Sequence, residues 1–236
     1  MVSKEQRFTL LLEKRMARNN MFRLPAFMIG YLFGNILFGY LYGKAHDKDI
    51  RTLGSGNVGT TNTVRTLGVK PGVLTLLSDC LKVVLAYFVV GLIFENVGDF
   101  SASYIHLLQV WAAFGAVLGH DFPFVLKFKG GKGIASSLGF LFVVMPESIP
   151  VVILVFIITV FITRYVSLGS ILAAATIIIE TLVFYFLGLF IFKGKIGIEV
   201  LFIVLFLASL AIFLHRSNIK RLINHNENKF TFHPSI

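Results

Sequence analysis

Residues 196–214 read Ile-Gly-Ile-Glu-Val-Leu-Phe-Ile-Val-Leu-Phe-Leu-Ala-Ser-Leu-Ala-Ile-Phe-Leu and contain one charged side chain, Glu199. A helix that crosses a bilayer needs about 20 predominantly apolar residues, and this stretch meets that requirement. Six more apolar stretches precede it, at 24–43, 71–94, 103–119, 133–147, 149–163 and 167–192. The sequence therefore predicts an all-α, polytopic integral membrane protein with about seven transmembrane helices.

Two of these stretches leave their topology open. The stretches 133–147 and 149–163 are short for a bilayer, and Pro146-Glu-Ser-Ile-Pro150 separates them. Proline ends or kinks a helix, so the chain must turn here. The pair is compatible with either a re-entrant hairpin or two short, tilted transmembrane helices.

The composition excludes a soluble domain. Of the 236 residues, 56% are hydrophobic and 14% are charged, and the mean hydropathy is +0.81. Soluble globular proteins carry about 25% charged residues, and the apolar stretches are too long and unbroken for β-barrel strands. We predict a single transmembrane domain over 24–236. A basic, amphipathic N-terminal extension, 1–23, precedes it and is expected to lie on the membrane surface.

The basic residues alternate along the chain. Lys and Arg concentrate in the loops 44–70 and 120–132 and in the tail after the last span, whereas the loops 95–102 and 146–149 contain neither. The positive-inside rule therefore predicts functional cytoplasmic loops on a multi-pass protein of the cell membrane, although the basic segment 1–23 runs against this orientation. The net charge of +10 favours anionic lipid and acidic substrates as partners over nucleic acid, because no aromatic residues form a stacking platform.

The first glycine-rich loop, 54–68, reads Gly-Ser-Gly-Asn-Val-Gly-Thr-Thr-Asn-Thr-Val-Arg-Thr-Leu-Gly. Glycine lets backbone N–H groups approach an oxyanion, and arginine offers a planar fork that matches phosphate. The pattern Gly-x-Gly-x-x-Gly also occurs in dinucleotide sites, but no strand precedes it here. We predict a phosphate-binding loop whose candidate residues are Gly54, Ser55, Gly56, Asn57, Thr61, Asn62 and Arg65.

The second glycine-rich loop, 119–133, reads Gly-His-Asp-Phe-Pro-Phe-Val-Leu-Lys-Phe-Lys-Gly-Gly-Lys-Gly. An apolar stretch follows at once, which places the final turn at a helix N-terminus, where backbone amides bind anions. We predict that this turn cradles a phosphate with Lys132, helped by Gly130, Gly131 and Gly133. Lys127 and Lys129 are interpreted as anchors to the membrane surface.

Several polar residues lie outside the two loops. His215 and Asn218 are three apart, so they share a face if the tail is helical. Asp79 and Lys82, also three apart within an apolar stretch, are expected to neutralise each other and to brace their helix beneath the first loop. Glu180 has no evident partner. The sequence contains no hydrolase nucleophile motif and no metal-ligand cluster, so we predict neither a metal nor a cofactor.

Three segments, GSGNVGTTNTVRTLG, GHDFPFVLKFKGGKG and HRSNIKRLINHNE, resemble in this order the cytoplasmic motifs of the bacterial acyl-phosphate:glycerol-3-phosphate acyltransferases, the PlsY family. YLFGNILFGYLYGK at 31–44 and YVSLGS at 165–170 are similar too. The resemblance implies a seven-helix enzyme that moves a fatty acyl group from acyl phosphate to the 1-hydroxyl of sn-glycerol 3-phosphate. The products would be lysophosphatidic acid and phosphate, in the first acylation of phospholipid synthesis. It also implies a functional link to a soluble acyl-phosphate synthase.

The resemblance further implies a set of site residues. The catalytic residues would be Ser55, Arg65, Lys132, His215 and Asn218. The substrate-binding residues would be Gly54, Gly56, Asn57, Thr61, Asn62, Gly130, Gly131, Gly133, Ser167 and Glu227. The chain departs from the family pattern at Asn35-Ile-Leu37, where Ser-Ile-Pro is common, at Asp121, usually apolar or aromatic, and at His225, usually glycine.

Three alternatives stay open at this point. A transporter of small organic phosphates would also use cationic glycine loops, although it would often show an internal repeat, and none is detectable. A membrane acyltransferase could take its acyl group directly from acyl-CoA or acyl carrier protein. Within the predicted enzyme, the base that accepts the hydroxyl proton is either His215 or a phosphate oxygen of the substrate.

Overall fold

The computed structural model describes residues 21–230, which form ten α-helices and two short 3₁₀ turns, Phe124–Leu126 and Pro146–Ser148. The helices are α1 (Arg23–Gly34), α2 (Phe38–Ala45), α3 (Thr60–Leu67), α4 (Val69–Val97), α5 (Ala102–Asp121), α6 (Ile134–Val144), α7 (Ile149–Thr163), α8 (Val166–Phe186), α9 (Gly194–Leu214) and α10 (Arg216–Ile223). The described range contains no strand, which confirms the all-α prediction. Most of the predicted extension 1–23 lies outside the described residues.

Six helical units in this range are long and apolar enough to cross a membrane: α1 with α2, α4, α5, α7, α8 and α9. The remaining predicted span, 133–147, contains α6, which has 11 residues. At 1.5 Å per residue, α6 is about 16 Å long, roughly half the thickness of a bilayer's hydrocarbon core. The structure therefore has six helical units of crossing length and one short apolar helix.

The short helix α6 and the following α7 form a hairpin in the path of the chain, in which α6 packs mainly on α4 and α7 mainly on α8. Pro146 begins the 3₁₀ turn between them, and Pro150 lies in the first turn of α7, where its missing N–H leaves no hydrogen bond unmade. At the open end, the backbone N–H of Phe230 donates to the carbonyl of Arg164, just after α7, at 2.7 Å. At the closed end, Met145 contacts Thr181, about 22 Å along α8. The hairpin thus opens towards the face that carries the C-terminal tail.

The first predicted span is not one continuous helix. It is interrupted at Asn35-Ile36-Leu37, between α1 and α2. Lys82 on α4 satisfies the carbonyl groups that the interruption frees, because its Nζ donates to Gly34 O at 3.1 Å and to Ile36 O at 2.8 Å. The predicted pairing of Asp79 with Lys82 is confirmed at 2.9 Å. Lys82, however, braces this interruption in the neighbouring span rather than the first glycine-rich loop.

Close packing of small residues holds α1 against α5. A Cβ atom at Gly30 would lie 1.8 Å from the carbonyl oxygen of Ala112, so only glycine permits this approach. Further along, Glu199 on α9 accepts hydrogen bonds from Arg23 Nε at 2.5 Å and from Trp111 Nε1 at 2.6 Å. These contacts tie α1, α5 and α9 together and leave the glycine-rich loops and α10 gathered at one end of the bundle.

Candidate active site

All three predicted motifs line one cleft of about 470 Å³. The loop after α2, the loop after α5 and α10 each contribute to its wall. The lining residues are Asp49, Arg51, Thr52, Ser55, Gly56, Asn57, Leu126, Lys129, Gly130, Lys132, Ser217 and Arg221. Segments separated by more than a hundred positions in the chain therefore meet around a single polar space.

A small hydrophobic cluster brings the two glycine-rich loops together. Ile50 and Val58, from the segment between α2 and α3, pack with Leu37, at the interruption of the first span, and with Leu126 from the second loop. Ile50 is fully buried and Val58 is nearly so. Burying these apolar side chains stabilises the contact by roughly 1.5–3 kcal/mol each. The sequence carried a signal for this cluster, since Ile50 and Val58 are isolated apolar residues within a polar loop.

Asn62 organises the first loop. Its Oδ1 accepts the backbone N–H of Ser55 at 2.8 Å, and its Nδ2 donates to the carbonyls of Ile50 and Leu53 at 2.9 and 3.1 Å. The side chain is 1% exposed, so these hydrogen bonds are made without competition from water. The sequence interpretation had Asn62 holding substrate, but its amide here holds the loop that presents Ser55.

The glycines of the first loop allow its backbone conformation. Gly54 and Gly56 have φ of +58° and +71°, in the left-handed region that favours glycine. A Cβ at Gly54 would lie 2.3 Å from Asn62 Oδ1 and would displace it. Asn57 caps the next turn, because its Oδ1 accepts the N–H of Gly59 at 2.8 Å. Ser55, Gly56 and Asn57 are the predicted loop-one residues that reach the cleft wall.

Two predicted site residues of the first glycine-rich loop, 54–68, are not among the residues that line the cleft. Thr61 is in the first turn of α3, and Arg65 lies one turn further on. The Arg65 stem runs next to Gly54, since a Cβ there would be 3.4 Å from Arg65 Cδ. Within residues 21–230, Arg65 forms no salt bridge. Its guanidinium is therefore a half-buried cation without an acidic partner in the described part of the chain.

The glycines of the second loop pack against His120. A Cβ at Gly131 would lie 2.0 Å from His120 Nε2, and one at Gly130 would lie 2.1 Å from His120 O. The N–H groups of Gly130 and Gly131 donate to the carbonyls of Asp121 and His120 at 3.2 and 3.0 Å. These two amides therefore already have backbone partners, and Lys132 brings a cationic side chain to the cleft wall. Gly133, with φ of +70°, caps the start of α6.

Lys132 belongs to a hydrogen-bond chain that joins four parts of the fold. Its Nζ donates to Asn218 Oδ1 on α10, and Asn218 Nδ2 donates to Glu227 Oε1 at 2.8 Å. Glu227 also accepts from Ser167 Oγ at 3.1 Å, at the start of α8, and from Arg221 Nε at 2.7 Å. The structure thus brings together Lys132, Ser167, Asn218 and Glu227, which the family resemblance had grouped.

The environment adjusts the protonation of these groups. Burial, and to a lesser degree the charge of Arg221, lower the pKa of Lys132 to about 8, against a smaller opposing effect of Glu227. Burial opposes ionisation of Glu227, but hydrogen bonds from Asn218, Arg221 and Ser167 outweigh it and lower its pKa. At neutral pH this hydrogen-bond chain therefore links the ammonium of Lys132, the amide of Asn218 and the carboxylate of Glu227.

His215 stands apart from the cleft wall. It is 4% exposed, and its Nδ1 lies 2.7 Å from the carbonyl of Ala211. A carbonyl can only accept, so Nδ1 carries the proton and Nε2 is the free acceptor. Burial lowers the pKa of His215 to about 4. The ring is therefore neutral at pH 7.

The structure adds residues that the sequence interpretation missed. Arg51 lines the cleft and is paired with Asp49 at 2.6 Å, and Arg221 lines it three residues after Asn218. Lys129, interpreted from the sequence as a membrane anchor, also lines it. The spacing of Arg221 from Asn218, one helical turn, was a signal in the sequence that it shares the face of Asn218. Arg51 carried no comparable signal.

Comparison with known proteins gives consistent results. The family described as "Glycerol-3-phosphate acyltransferase" matches residues 24–225. The chain is 38% identical over 200 residues to a glycerol-3-phosphate acyltransferase of Trichlorobacter lovleyi, covering 85% of this chain and 93% of the relative. It is 40% identical over 207 residues to one of Clostridioides difficile, covering 86% and 92%.

Two solved structures have the same fold. Both are crystal structures of PlsY (YgiH), described as an integral membrane glycerol 3-phosphate acyltransferase. The glycerol 3-phosphate form has a TM-score of 0.73 and the lysophosphatidic acid form 0.71. Each is 33% identical in sequence, over 89% of this chain and 96% of the solved one.

Proposed function

Since this chain belongs to the glycerol-3-phosphate acyltransferase family, we propose that it transfers a fatty acyl group from acyl phosphate to the 1-hydroxyl of sn-glycerol 3-phosphate. The products are lysophosphatidic acid and inorganic phosphate. The observation that carries the proposal is the cleft that Ser55 lines together with four basic residues, Arg51, Lys129, Lys132 and Arg221. Four cations in one small cleft suit a reaction between two phosphorylated substrates.

The chemistry needs positioning and charge stabilisation more than a nucleophile from the protein. Acyl phosphate is a mixed anhydride, so phosphate leaves readily. The glycerol hydroxyl oxygen forms a bond to the acyl carbon as the bond from that carbon to the phosphate oxygen breaks. Holding both substrates in a near-attack geometry and offsetting their charge can supply much of the rate enhancement. No covalent acyl-enzyme is required.

We assign the phosphate contacts to the cations of the cleft. The ammonium of Lys132 donates a hydrogen bond to Asn218, and Asn218 in turn donates to Glu227. These bonds fix the position of the ammonium before substrate binds. Ser55 presents its hydroxyl on the loop that Asn62 organises, in reach of a leaving phosphate or a developing oxyanion. Arg65 completes the set as a cation next to the Gly54 turn.

We place the hydroxyl proton on a phosphate oxygen of the substrate. His215 is neutral at pH 7 and has a free Nε2, yet it is buried and outside the cleft wall. His215→Ala is therefore expected to keep measurable turnover when glycerol 3-phosphate saturates. The measurement is phosphate release at saturating substrate together with the KM of glycerol 3-phosphate. Complete loss of turnover at an unchanged KM would show instead that His215 is the base.

We further propose that the cleft lies at the cytoplasmic face of the cell membrane. The loops that form it carry the basic residues that the positive-inside rule assigns to the cytoplasm. The acyl chain would remain among the apolar helices while its phosphate enters the cleft. A soluble acyl-phosphate synthase on the same side would supply the donor.

The donor is tested with the purified protein in detergent. Palmitoyl phosphate and glycerol 3-phosphate are expected to give equal amounts of inorganic phosphate and lysophosphatidic acid. Palmitoyl-CoA and palmitoyl-acyl carrier protein, assayed in parallel, are expected to give no product. Product from palmitoyl-CoA and none from palmitoyl phosphate would overturn the proposed donor while leaving the family assignment intact.

A further inference from the structure

A cluster of four buried ionisable residues lies at the start of the second glycine-rich loop. Asp79 and Lys82 come from α4, and His120 and Asp121 come from the end of α5; each is at most 4% exposed. Lys82 Nζ lies 2.9 Å from Asp79 Oδ1 and 3.0 Å from His120 Nδ1. None of the four lines the cleft, and the proposed reaction uses none of them. Ionisable groups within membrane-spanning helices are costly, so they call for a functional explanation.

The ammonium of Lys82 is also held by the backbone of the first span. Besides Asp79 and His120, its ammonium donates to the carbonyls of Gly34 and Ile36 at the interruption of the first span. Partners on three sides, from α1, α4 and α5, leave Nζ little freedom to move. The imidazole of His120 is therefore held by a donor whose own position is fixed.

His120 and Asp121 in turn support the residues around Lys132. The His120 ring packs directly on Gly131, and the His120 carbonyl accepts the Gly131 N–H at 3.0 Å. Asp121 accepts the Gly130 N–H at 3.2 Å through its carbonyl. Its carboxylate lies close to Gly133, where an added Cβ would be 2.9 Å away. The three glycines next to Lys132, at 130, 131 and 133, are therefore each in contact with His120 or Asp121.

We propose that Lys82 is a positioning residue for acyl transfer, which acts through His120 to fix the turn 130–133 and thereby the position of Lys132 in the cleft. The inference rests on the proposed role of Lys132 as a phosphate contact. A buried ion pair is weak evidence for stability, because an apolar pair of similar volume is often as stable. A directional hydrogen bond to an imidazole, by contrast, sets the orientation of the ring, which an apolar side chain cannot do.

The decisive variant is the double substitution Asp79→Leu with Lys82→Met, which removes both charges of the pair together. It is compared with wild type, with Lys132→Met and with Thr181→Val, a change at a fully buried polar residue on α8 away from the cluster. Thermal unfolding in detergent, kcat and the KM of glycerol 3-phosphate are measured for each. We expect the double variant to unfold at a lower temperature than wild type, because the carbonyls of Gly34 and Ile36 lose their donor. Its KM is expected to rise about tenfold, as in Lys132→Met. Thr181→Val should leave the KM unchanged.

A second pair of variants decides the question even if the double variant does not fold. His120→Asn keeps a hydrogen-bond acceptor near the position of Nδ1, whereas His120→Leu removes it. We expect the KM of His120→Asn to stay within about threefold of wild type and that of His120→Leu to rise about tenfold.

Two outcomes would overturn the inference: a stable double variant with wild-type KM and kcat, or equal KM values for the two His120 variants. A wild-type KM in Lys132→Met would instead refute the proposed role of Lys132. The experiment therefore distinguishes failure of the inference from failure of the site assignment.

Discussion

At the scale of single residues, the structure separates side chains that face the cleft from those that shape it. Ser55 and Lys132 line the cleft, whereas both N–H donors of the Asn62 amide are used in holding the first loop. All three have residue types that bind phosphate, so the sequence alone could not distinguish these roles. The distinction depends on which backbone groups lie nearby after folding. A phosphate needs a hydrogen-bond donor, and both N–H donors of this buried amide already bond to backbone carbonyls.

The lowered pKa of Lys132 predicts a pH dependence. Its pKa of about 8 means that the charged form is lost as the pH rises through 8. Because the charged form is the one that binds phosphate, kcat/KM for glycerol 3-phosphate is expected to fall on the alkaline side with a midpoint near that value. Lys132→Arg should move this fall to higher pH, since a guanidinium stays protonated above about pH 12.

The control for this profile is Lys193→Arg. Lys193 is exposed and donates to Gly188 O, at the opposite end of the bundle. Its substitution should leave both the rate and the profile unchanged. If Lys132→Arg shows the same alkaline midpoint as wild type, the titrating group is not Lys132.

At the scale of elements, the interruption of the first span and the turn 130–133 show what hydropathy cannot reveal. Residues 24–43 have the composition of one continuous span, and the sequence predicted one. The break between α1 and α2 is stable because Lys82, 46 positions beyond Ile36, reaches the carbonyls freed there. Likewise, Gly130 and Gly131 had the appearance of an anion cradle, whereas their amides bond to α5. In both elements a partner distant in sequence decides the local structure.

A substitution in the second loop tests this account of the element. Gly131→Ala places a Cβ 2.0 Å from Nε2 of the buried His120 ring, so the ring or the turn must shift. We expect kcat/KM to fall by at least about tenfold as Lys132 is displaced, because small misplacements of a positioning group are costly. Activity with palmitoyl phosphate and thermal unfolding in detergent are the measurements.

Gly188→Ala is the matched control for that substitution. A methyl group added at Gly188 would meet no other atom within 4 Å, and the residue has a φ of +70°. Its replacement should therefore cost roughly 1 kcal/mol of backbone strain without loss of activity. Equal activity losses in the two glycine variants would show that Gly131 has no special role in positioning Lys132.

At the scale of the whole molecule, the cleft requires that both glycine-rich loops and the tail lie on one side of the membrane. The predicted orientation can be measured in a Cys80→Ser background, since Cys80 is the single cysteine. Cysteines are introduced at the exposed positions Lys48, Lys220 and Asp99. An impermeant thiol reagent should label Lys48→Cys and Lys220→Cys only from the cytoplasmic side and Asp99→Cys only from outside. Labelling of Lys48→Cys and Lys220→Cys from opposite sides is incompatible with a shared cleft.

The sequence by itself determined the helical class, the positions of the apolar stretches and the three polar segments that meet in the cleft. These are local properties: hydropathy is summed over about 20 consecutive residues, and a motif is read within about 15. Only the tertiary structure decided that Lys129 and Arg221 face the cleft and that His215 does not. It also decided that Lys82 reaches from α4 to both α1 and α5. Such assignments depend on which distant groups packing brings within hydrogen-bond distance, and no local pattern in the chain encodes that distance.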